Sequence, residues 1–370
     1  MRTLFVCSEF YAGLLPFGAT IVNTMRGDDC FAIFICTPKC DYRKAVIPNG
    51  DNYVFLNFPQ GRVKGLMHHI YPVVLLKSIE KVCKANQIDV IHMLTEDASL
   101  ALHIGQLKKL AKVYYTVHDL FFHEQIFKNA FKWLLRKVLI QMRVRRLINK
   151  TDNLVTSSHF QYNWMLEHFP GKKIFFHDFP TLLTESIIHG DMAVPELKGV
   201  KNYILFFGQV EQYKGVEYLY NAYIKKPFKD KPLVIAGKGH IYFERDLAKE
   251  QNVIFVNRYI DDAEIKQLFI NAFCVVFPYI SGTQSGILSF PYYFKTPSLV
   301  SDIPFFKELI IDNVTSLSVD VRNPDLLTEK ITELKAPGTT AKLIKAGEDH
   351  YQKIYDGKVL KQQLLAAFEL

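Results

Sequence analysis

The stretch from Tyr203 to Asp302 decides the fold of this chain. It contains the segments YILFFGQVEQYKGVEYL (203–219), PLVIAGKG (232–239), VIFVNRYIDDAEIKQLF (253–269) and CVVFPYISGTQSGILSFPYYFKTPSLVSD (274–302). Each segment begins with or contains a short apolar run rich in β-branched residues, and a glycine-containing or polar turn and a helix-like segment follow. This alternation predicts a parallel sheet built from βαβ units.

Polar and glycine-bearing residues follow the predicted strands directly, at their carboxyl ends. Open α/β sheets bind ligands at that edge. Lys214 supplies a cation there, and the turn Thr283-Gln284-Ser285-Gly286 supplies hydroxyls and backbone N–H groups. These groups suit a phosphorylated ligand. The alternatives are a solvated lysine beside a turn and an ordinary helix cap.

The first half of the chain alternates strands and helices in the same way. Its predicted strands are Leu4–Cys7, Phe31–Cys36, Asn52–Leu56, Asp89–Met93, Val113–Val117, Asn153–Thr156 and Lys173–His177. Its predicted helices are Ala19–Met25, Val73–Asn86, Ala98–Ala111, Asn129–Lys150 and Phe160–His168. A chain of 370 residues is long for one core, so two domains are expected. We place Rossmann-like domains at 1–190 and 191–348, with a ligand cleft between them and a helix at 349–370 packing back on the first domain.

Net charge, cysteine spacing and hydropathy limit what the protein is expected to bind and where it is expected to lie. The formal net charge is +8, which favours anionic ligands or surfaces. The six cysteines lack zinc-site spacing and several lie in predicted strands, so we expect reduced structural thiols and no metal. The chain shows no signal peptide and no apolar run long enough to span a membrane, which predicts a cytoplasmic protein.

The predicted helix 129–150 interleaves basic with apolar and aromatic residues. Such a helix can contact anionic lipid headgroups at the inner face of a membrane. The alternative, which we favour, is a core-packed helix with a solvated basic face. Nucleic-acid binding is not expected, because no DNA- or RNA-binding motif accompanies the charge.

Several motifs resemble those of the GT-B glycosyltransferases, and of the retaining family 4 (glycosyl transferases group 1) in particular. Residues 207–215 (FGQVEQYKG) resemble that family's FGR-x4-KG loop, 233–239 (LVIAGKG) its LVIAGxG strand and turn, and 294–302 (FKTPSLVSD) its xGxPVIATD segment. In the first half, 115–119 (YTVHD) resemble xTxHD, and 155–158 (VTSS) resemble a VxxxS strand end. The resemblance implies a GT-B architecture whose second domain binds a nucleotide-sugar donor.

The chain departs from this family's pattern at three places. The family's arginine ahead of its lysine is Gln209, and the glycine of its GxP turn is Lys295. The two family glutamates, counted back without gaps from Pro297, fall on Gly282 and Phe290. In the family the arginine and lysine bind the diphosphate, and the second glutamate holds the ribose. We interpret the departure as a variant site first and as a loss of activity second.

The resemblance assigns expected roles along the chain. Lys214 and His118 are the candidate catalytic residues, with a buried histidine bonded to backbone as the alternative for His118. Gly13 and Gly18 lie in an acceptor-side loop. The donor-binding candidates are Gly208, Gln209, Lys214, Arg258, Tyr259, Thr283, Gln284, Ser285 and Gly286. A surface arginine is the alternative for Arg258, and Asp262 and Glu264 are expected to open a helix.

The predicted function is therefore transfer of a hexose-type sugar from a nucleotide diphosphate sugar to a glycan or lipid-linked acceptor, with retention, in surface polysaccharide synthesis. No cofactor and no metal are expected, because Lys214 and backbone dipoles take the place of a cation. Two alternatives stay open: a non-catalytic relative that binds a glycan or a partner enzyme, and a nucleotide-sugar epimerase, which would need an acidic pair that the sequence does not show.

Overall fold

The computed structural model describes residues 1–8, 14–38, 40–120, 137–282 and 284–369. The chain divides into two compact units, Met1–Thr181 together with Gly357–Leu370, and Leu182–Asp356. Each unit holds one parallel sheet, of seven strands in the first unit and six in the second. The predicted α/β class with two Rossmann-like domains is confirmed.

The first unit contains strands β1 to β7 and seven α-helices within its described residues. The strands are β1 (Thr3–Cys7), β2 (Cys30–Cys36), β3 (Tyr53–Asn57), β4 (Val90–Met93), β5 (Lys112–Thr116), β6 (Asn153–Thr156) and β7 (Lys173–Phe176). The helices are α1 (Leu15–Met25), α2 (Arg62–Ile70), α3 (Val73–Asn86), α4 (Ile104–Leu107), α5 (Met142–Lys150), α6 (His159–His168) and, at the end of the chain, α14 (Gly357–Glu369).

The strand order β3-β2-β1-β4-β5-β6-β7 reverses between β1 and β4. Alternate residues of β1 serve two different cores: Leu4 and Val6 pack in one cluster, and Phe5 and Cys7 in the other. Both faces of the sheet are therefore covered, which explains the continuous apolar strands of the sequence. The crevice at the β1/β4 reversal is the ligand-binding position of such sheets.

The C-terminal helix α14 covers part of the first unit's sheet. Leu360, Leu364 and Phe368 are buried in the same cluster as Phe5. The hydroxyl of Tyr114 on β5 donates a 3.0 Å hydrogen bond to the carbonyl of Ala367. The last helix of the chain thus belongs to the core of the first unit.

One predicted helix of the first unit is corrected, and a second is helical throughout its described part. The segment 98–111 forms a 3-10 turn (Ala98–Leu100) and the four-residue α4 instead of one helix. Its apolar spacing reflects burial, since Ala98, Leu100 and Leu107 are almost inaccessible. In the basic segment 129–150, residues 137–141 form a π-helical turn that leads into α5, and 129–136 lie outside the described residues.

The second unit contains strands β8 to β13 and seven α-helices within its described residues. The strands are β8 (Tyr203–Phe207), β9 (Leu233–Ala236), β10 (Val253–Val256), β11 (Ala272–Phe277), β12 (Ser298–Ser301) and β13 (Leu317–Val319). The helices are α7 (Glu185–Ile188), α8 (Val216–Lys225), α9 (Asp262–Ile270), α10 (Ser289–Tyr293), α11 (Pro304–Leu309), α12 (Pro324–Glu333) and α13 (Pro337–Ile354).

The second sheet has the order β10-β9-β8-β11-β12-β13 and reverses between β8 and β11. All its strand pairs are parallel, as the 203–302 stretch predicts. The residues after β8 and after β11 therefore flank this unit's ligand-binding position. Every helix of the described ranges is too short or too polar to cross a bilayer.

Candidate functional site

Lys214 lies beside the strand-order reversal of the second unit. It ends a 3-10 turn, Gln212–Lys214, that follows β8. Its Nζ donates a 2.8 Å hydrogen bond to the hydroxyl of Tyr279, which follows β11, and lies 4.3 Å from the centre of that ring. A second ring, that of Tyr213, is 5.2 Å away. The ammonium is thus fixed by groups from both sides of the reversal, in a half-buried position.

Glycines allow the loops at this edge to approach each other closely. Gly215 has φ +62°, and a Cβ on it would lie 2.0 Å from the carbonyl oxygen of Pro278. Gly237 has φ +144°, and a Cβ there would lie 1.9 Å from the carbonyl oxygen of Gly208. No other residue type fits either position. The loops after β8, β9 and β11 are consequently packed backbone to backbone around Lys214.

Gly208 and Gln209 precede Lys214 in the same loop. A Cβ on Gly208 would lie 3.8 Å from Lys214 Nζ, at van der Waals distance, so the backbone of Gly208 lies next to the ammonium. Gln209, at the position of the family's arginine, is exposed. The structure thus brings Gly208, Lys214 and Tyr279 together, and the sequence analysis did not single out Tyr279.

The turn 284–286 is held by local hydrogen bonds. Ser285 Oγ accepts a bond from the N–H of Ile287 at 3.2 Å. The carbonyl of Gly286 accepts bonds from both the N–H and the hydroxyl of Ser289, at 2.9 and 2.6 Å. The helix that follows the turn, α10, has five residues and begins at Ser289. So short a helix contributes little dipole toward an anion.

The structure also places the other two residues of the predicted turn. Gln284 is half-buried, and Thr283 lies outside the described residues.

The two positions that correspond to the family's glutamates are packed against aromatic rings. A Cβ on Gly282 would lie 2.9 Å from Cδ1 of Phe305. Phe290 is buried, and its ring centre is 5.5 Å from those of Phe207 and Phe269. Aromatic packing has therefore replaced the acidic pair in this unit, in agreement with the departure seen in the sequence.

Arg258 is committed to protein contacts. Its guanidinium donates two hydrogen bonds to Glu196, two to Glu264 and one to the carbonyl of Tyr259. All five donors of the group are used. These bonds, first to Glu264 and then to Glu196, raise the pKa of Arg258 further above its usual value. Every N–H of the guanidinium has a protein acceptor, which favours the surface-arginine alternative, and the donor-binding role of Arg258 stays a prediction.

Helix α9 begins with Asp262 and Glu264 in its first turn, as the sequence predicts, and Asp261 and Glu264 cap it. They form a capping box: the side chain of Asp261 accepts a hydrogen bond from the backbone of the first turn, and the side chain of Glu264 accepts one from the backbone N–H of Asp261. Tyr259 is 56% exposed and remains accessible to a ligand.

His118 lies at the carboxyl end of β5 in the first unit. Its Nε2 donates a 2.8 Å hydrogen bond to the carbonyl of Leu94, and its ring packs edge-on at 4.7 Å against Phe17. Burial lowers the pKa of His118, so the imidazole is neutral at pH 7. The bond to backbone is the structural alternative of the sequence analysis, and it fixes the Nε2–H tautomer.

The edge of the first sheet that holds His118 also carries three residues that the sequence analysis did not select: His177, Asp97 and Ser8. His177, directly after β7, hydrogen-bonds the carbonyl of Asp178 through Nδ1 at 2.8 Å, and burial lowers its pKa to about 4. Asp97, in the left-handed region at φ +44°, accepts bonds from the N–H and hydroxyl of Ser8 at 2.8 and 2.5 Å. Ser8 and His177 each follow an apolar strand directly, which is the signal that could have found them, whereas Asp97 lies four residues after β4.

Gly18 is explained by packing. A Cβ on Gly18 would lie 3.0 Å from Cys7 Sγ and 3.1 Å from Tyr42 Oη, so the glycine lets α1 lie against β1. Gly13, the other predicted loop glycine, lies outside the described residues. All six cysteines are buried, and none of them forms a disulfide. Within the described ranges, no cluster of His, Cys, Asp and Glu could hold a metal ion.

Comparison with protein-family models gives two matches. Residues 190–350 match "Glycosyl transferases group 1", and residues 28–175 match "Glycosyltransferase Family 4". A protein of Klebsiella pneumoniae described as "Uncharacterized 41.2 kDa protein in cps region" is 24% identical over 266 residues, which cover 68% of this chain and 70% of the relative.

Solved structures share the fold at low sequence identity. HepE of Anabaena, solved in complex with UDP-glucose, has a TM-score of 0.67 at 13% identity, over 100% of this chain and 99% of that one. Sucrose-phosphate synthase of Thermosynechococcus elongatus has a TM-score of 0.67 at 13% identity, over 100% and 98%. The two family models together match most of the chain, and the protein belongs to the GT-B glycosyltransferases and resembles family 4.

Proposed function

We propose that this protein transfers a hexose-type sugar from a nucleotide diphosphate sugar to a glycan or lipid-linked acceptor, with retention of the anomeric configuration. The observation that carries the proposal is the position of Lys214. Its ammonium is fixed at the β8/β11 reversal by the hydroxyl of Tyr279, next to the backbone of Gly208. The HepE structure that shares the fold contains UDP-glucose, and the Klebsiella relative is named for a cps region, which supports surface polysaccharide synthesis.

The chemistry needs a stabilised leaving group. The bond between sugar C1 and the diphosphate oxygen breaks, and its electron pair stays on the diphosphate. The acceptor hydroxyl oxygen forms the new bond to C1, and its proton passes to the released diphosphate. Lys214 provides charge where negative charge develops, a contribution of about 2.7–4 kcal/mol for a well-placed donor. We propose that this cation makes a bound metal ion unnecessary.

His118 is the proposed contact to the sugar. Because Nε2–H is committed to Leu94, Nδ1 carries the lone pair of the neutral ring. In that form His118 orients a sugar hydroxyl by accepting a hydrogen bond from it. The other residues that we propose to contact the donor are Gly208, Gln209, Tyr259 and residues 283–286.

The decisive experiment is a panel of nucleotide sugars tested for transfer and for slow donor hydrolysis, with and without EDTA. We expect turnover with at least one donor, unchanged by EDTA, and an anomer of unchanged configuration by NMR. Lys214→Ala should lower kcat about 100-fold or more while the fold persists. Lys238→Ala, at an exposed lysine in the neighbouring loop, is the matched control. Full activity of Lys214→Ala would remove this residue from the mechanism.

A second function is favoured by one observation. The packed aromatic ring of Phe290 and the crowded Gly282 stand where the family has its glutamates. A non-catalytic protein that keeps the fold and binds a glycan or a partner enzyme fits that loss. Absence of turnover with every donor, together with no heat of nucleotide binding in calorimetry, would select this alternative.

A further inference from the structure

Helix α2 of the first unit buries a glycine and a histidine and exposes its apolar residues. Its residues Gly65 and His68 face inward: both are buried, and the ring of Phe58 packs edge-on against His68 at 5.2 Å. The outward residues are apolar, with Val63 71% and Met67 63% exposed. A surface helix of a globular protein ordinarily shows the opposite arrangement.

The apolar surface continues beyond the helix. Its exposed members are Val63, Leu66, Met67, Ile70, Tyr71, Val73 and Val74, which we call the α2 patch. On α2 they recur at the spacing of one helical face, and the last three extend the face into the first turn of α3. Contiguous exposed apolar surface of this kind marks an interaction site.

The α2 patch is held in this position by hydrogen bonds to the end of the helix. Arg143, from α5, donates to the carbonyl of His69, and His103 Nε2 lies 3.5 Å from the carbonyl of Ile70. Orphan carbonyls at the C-terminal end of α2 are thereby satisfied without burying its outer face. The same contacts bring the basic helix α5 next to the patch.

Charge around the patch is predominantly positive, and its acidic neighbour Glu80, which lines the same depression as Tyr71 and Val73, is paired with Lys84. The segment 52–79 contains no Asp or Glu, and neither does 137–151, which includes α5. Lys64 and Lys77 are exposed in the first segment, and Arg145 and Arg146 in the second. A surface with apolar side chains at its centre and cations around it complements an anionic lipid layer. Two copies meeting through the same patch would instead oppose cation to cation.

We propose that the α2 patch docks the first unit on a membrane that contains anionic lipid, with its apolar side chains in the headgroup boundary and α5 supplying cations. This inference does not depend on the proposed transferase activity, because lipid binding is measured without a donor. It assigns lipid contact to α2 and α5 together, whereas the sequence pointed to the basic helix alone.

The test is sedimentation of the full chain with vesicles of phosphatidylcholine alone and of phosphatidylcholine and phosphatidylglycerol in equal parts. We expect at least about tenfold stronger partition onto the anionic vesicles, weakened by added salt. Met67→Glu/Ile70→Glu should lower that partition about tenfold, and Lys64→Glu/Lys77→Glu should do the same at low salt. Both pairs are exposed, so folding persists and a thermal melt verifies it.

Leu247→Glu is the matched control, since Leu247 is 72% exposed in the second unit and should leave partition unchanged. Three results would overturn the proposal. They are no binding of the wild type to anionic vesicles, equal binding of the Met67→Glu/Ile70→Glu variant, and a wild-type dimer in solution that this variant dissociates.

Discussion

Lys214 Nζ and Tyr279 Oη lie 2.8 Å apart and join the turn after β8 to the segment after β11. Tyr279 is itself fixed, because it is buried and its carbonyl accepts a 2.5 Å bond from Ser301 on the next strand, β12. The ammonium is therefore pre-positioned by the sheet before any ligand arrives. Pre-positioned charge is the form of electrostatic stabilisation that costs no reorganisation during the reaction.

Tyr279→Phe tests this relationship. The ring and its contact with the ammonium remain, and one hydrogen bond to a charged group is lost. We expect kcat/KM for the donor to fall about tenfold, or about 1.4 kcal/mol. Steady-state kinetics and a thermal melt measure the two effects separately. A change in stability with unchanged kcat/KM would show that the bond serves folding alone.

Arg258→Ala should destabilise the second unit without changing donor affinity. It leaves the buried carboxylate of Glu264 without its partner, which costs about 3 kcal/mol. Urea unfolding measures the loss. The double variant Arg258→Ala/Glu264→Gln removes the stranded charge and should recover part of the stability. A raised donor KM with normal stability would return Arg258 to the binding site.

Lys295→Gly should stabilise the protein. Lys295 has φ +57°, at the position where family 4 has a glycine, and a side chain in that region is strained. Relief of the strain should exceed the added unfolded-state entropy and the loss of the exposed 3.0 Å ion pair with Glu348. We expect a gain of up to about 1 kcal/mol in the free energy of unfolding. Lys295→Ala loses the ion pair without relieving the strain, and should show no gain.

The histidines of the first unit should make stability fall in acid. Burial lowers the pKa of His177 to about 4, while an unfolded histidine titrates near 6.5. Between those values the unfolded chain binds a proton that the native protein does not. The free energy of unfolding therefore falls as pH drops through this window, by about 1.4 kcal/mol for each pKa unit, and is unaffected by this group above it.

His177→Asn keeps a donor for the carbonyl of Asp178 and removes the titration. Urea unfolding at a series of pH values should give a shallower acid slope for His177→Asn than for the wild type. The exposed His240→Asn should keep the wild-type slope. If all three proteins gave parallel curves, the acid slope would not come from His177. It would then come from other groups such as His118 and His92, because burial lowers their pKa values as well.

Local sequence determined the elements and their order. An apolar run predicted β6 to the residue, because burial on both faces of a sheet leaves a continuous apolar signal. Helical spacing predicted α3 to the residue, and the alternation in 203–302 predicted the parallel sheet of the second unit. The polar residue after each strand gave the ligand edge, since parallel strands end on the same side. Lys214 and His118 were found this way.

Tertiary packing alone decided which of these residues are available. Arg258 follows its strand as a ligand residue would, yet Glu196, 62 positions away, and Glu264 accept four of its five hydrogen bonds. The outward apolar face of α2 has the spacing of a buried helix, so no periodicity could show that Gly65 and His68 face the core instead. Tyr279 reaches Lys214 only because β8 and β11 are neighbours in the sheet. A sequence records each residue's own preference, whereas these outcomes depend on partners that only the folded chain brings together.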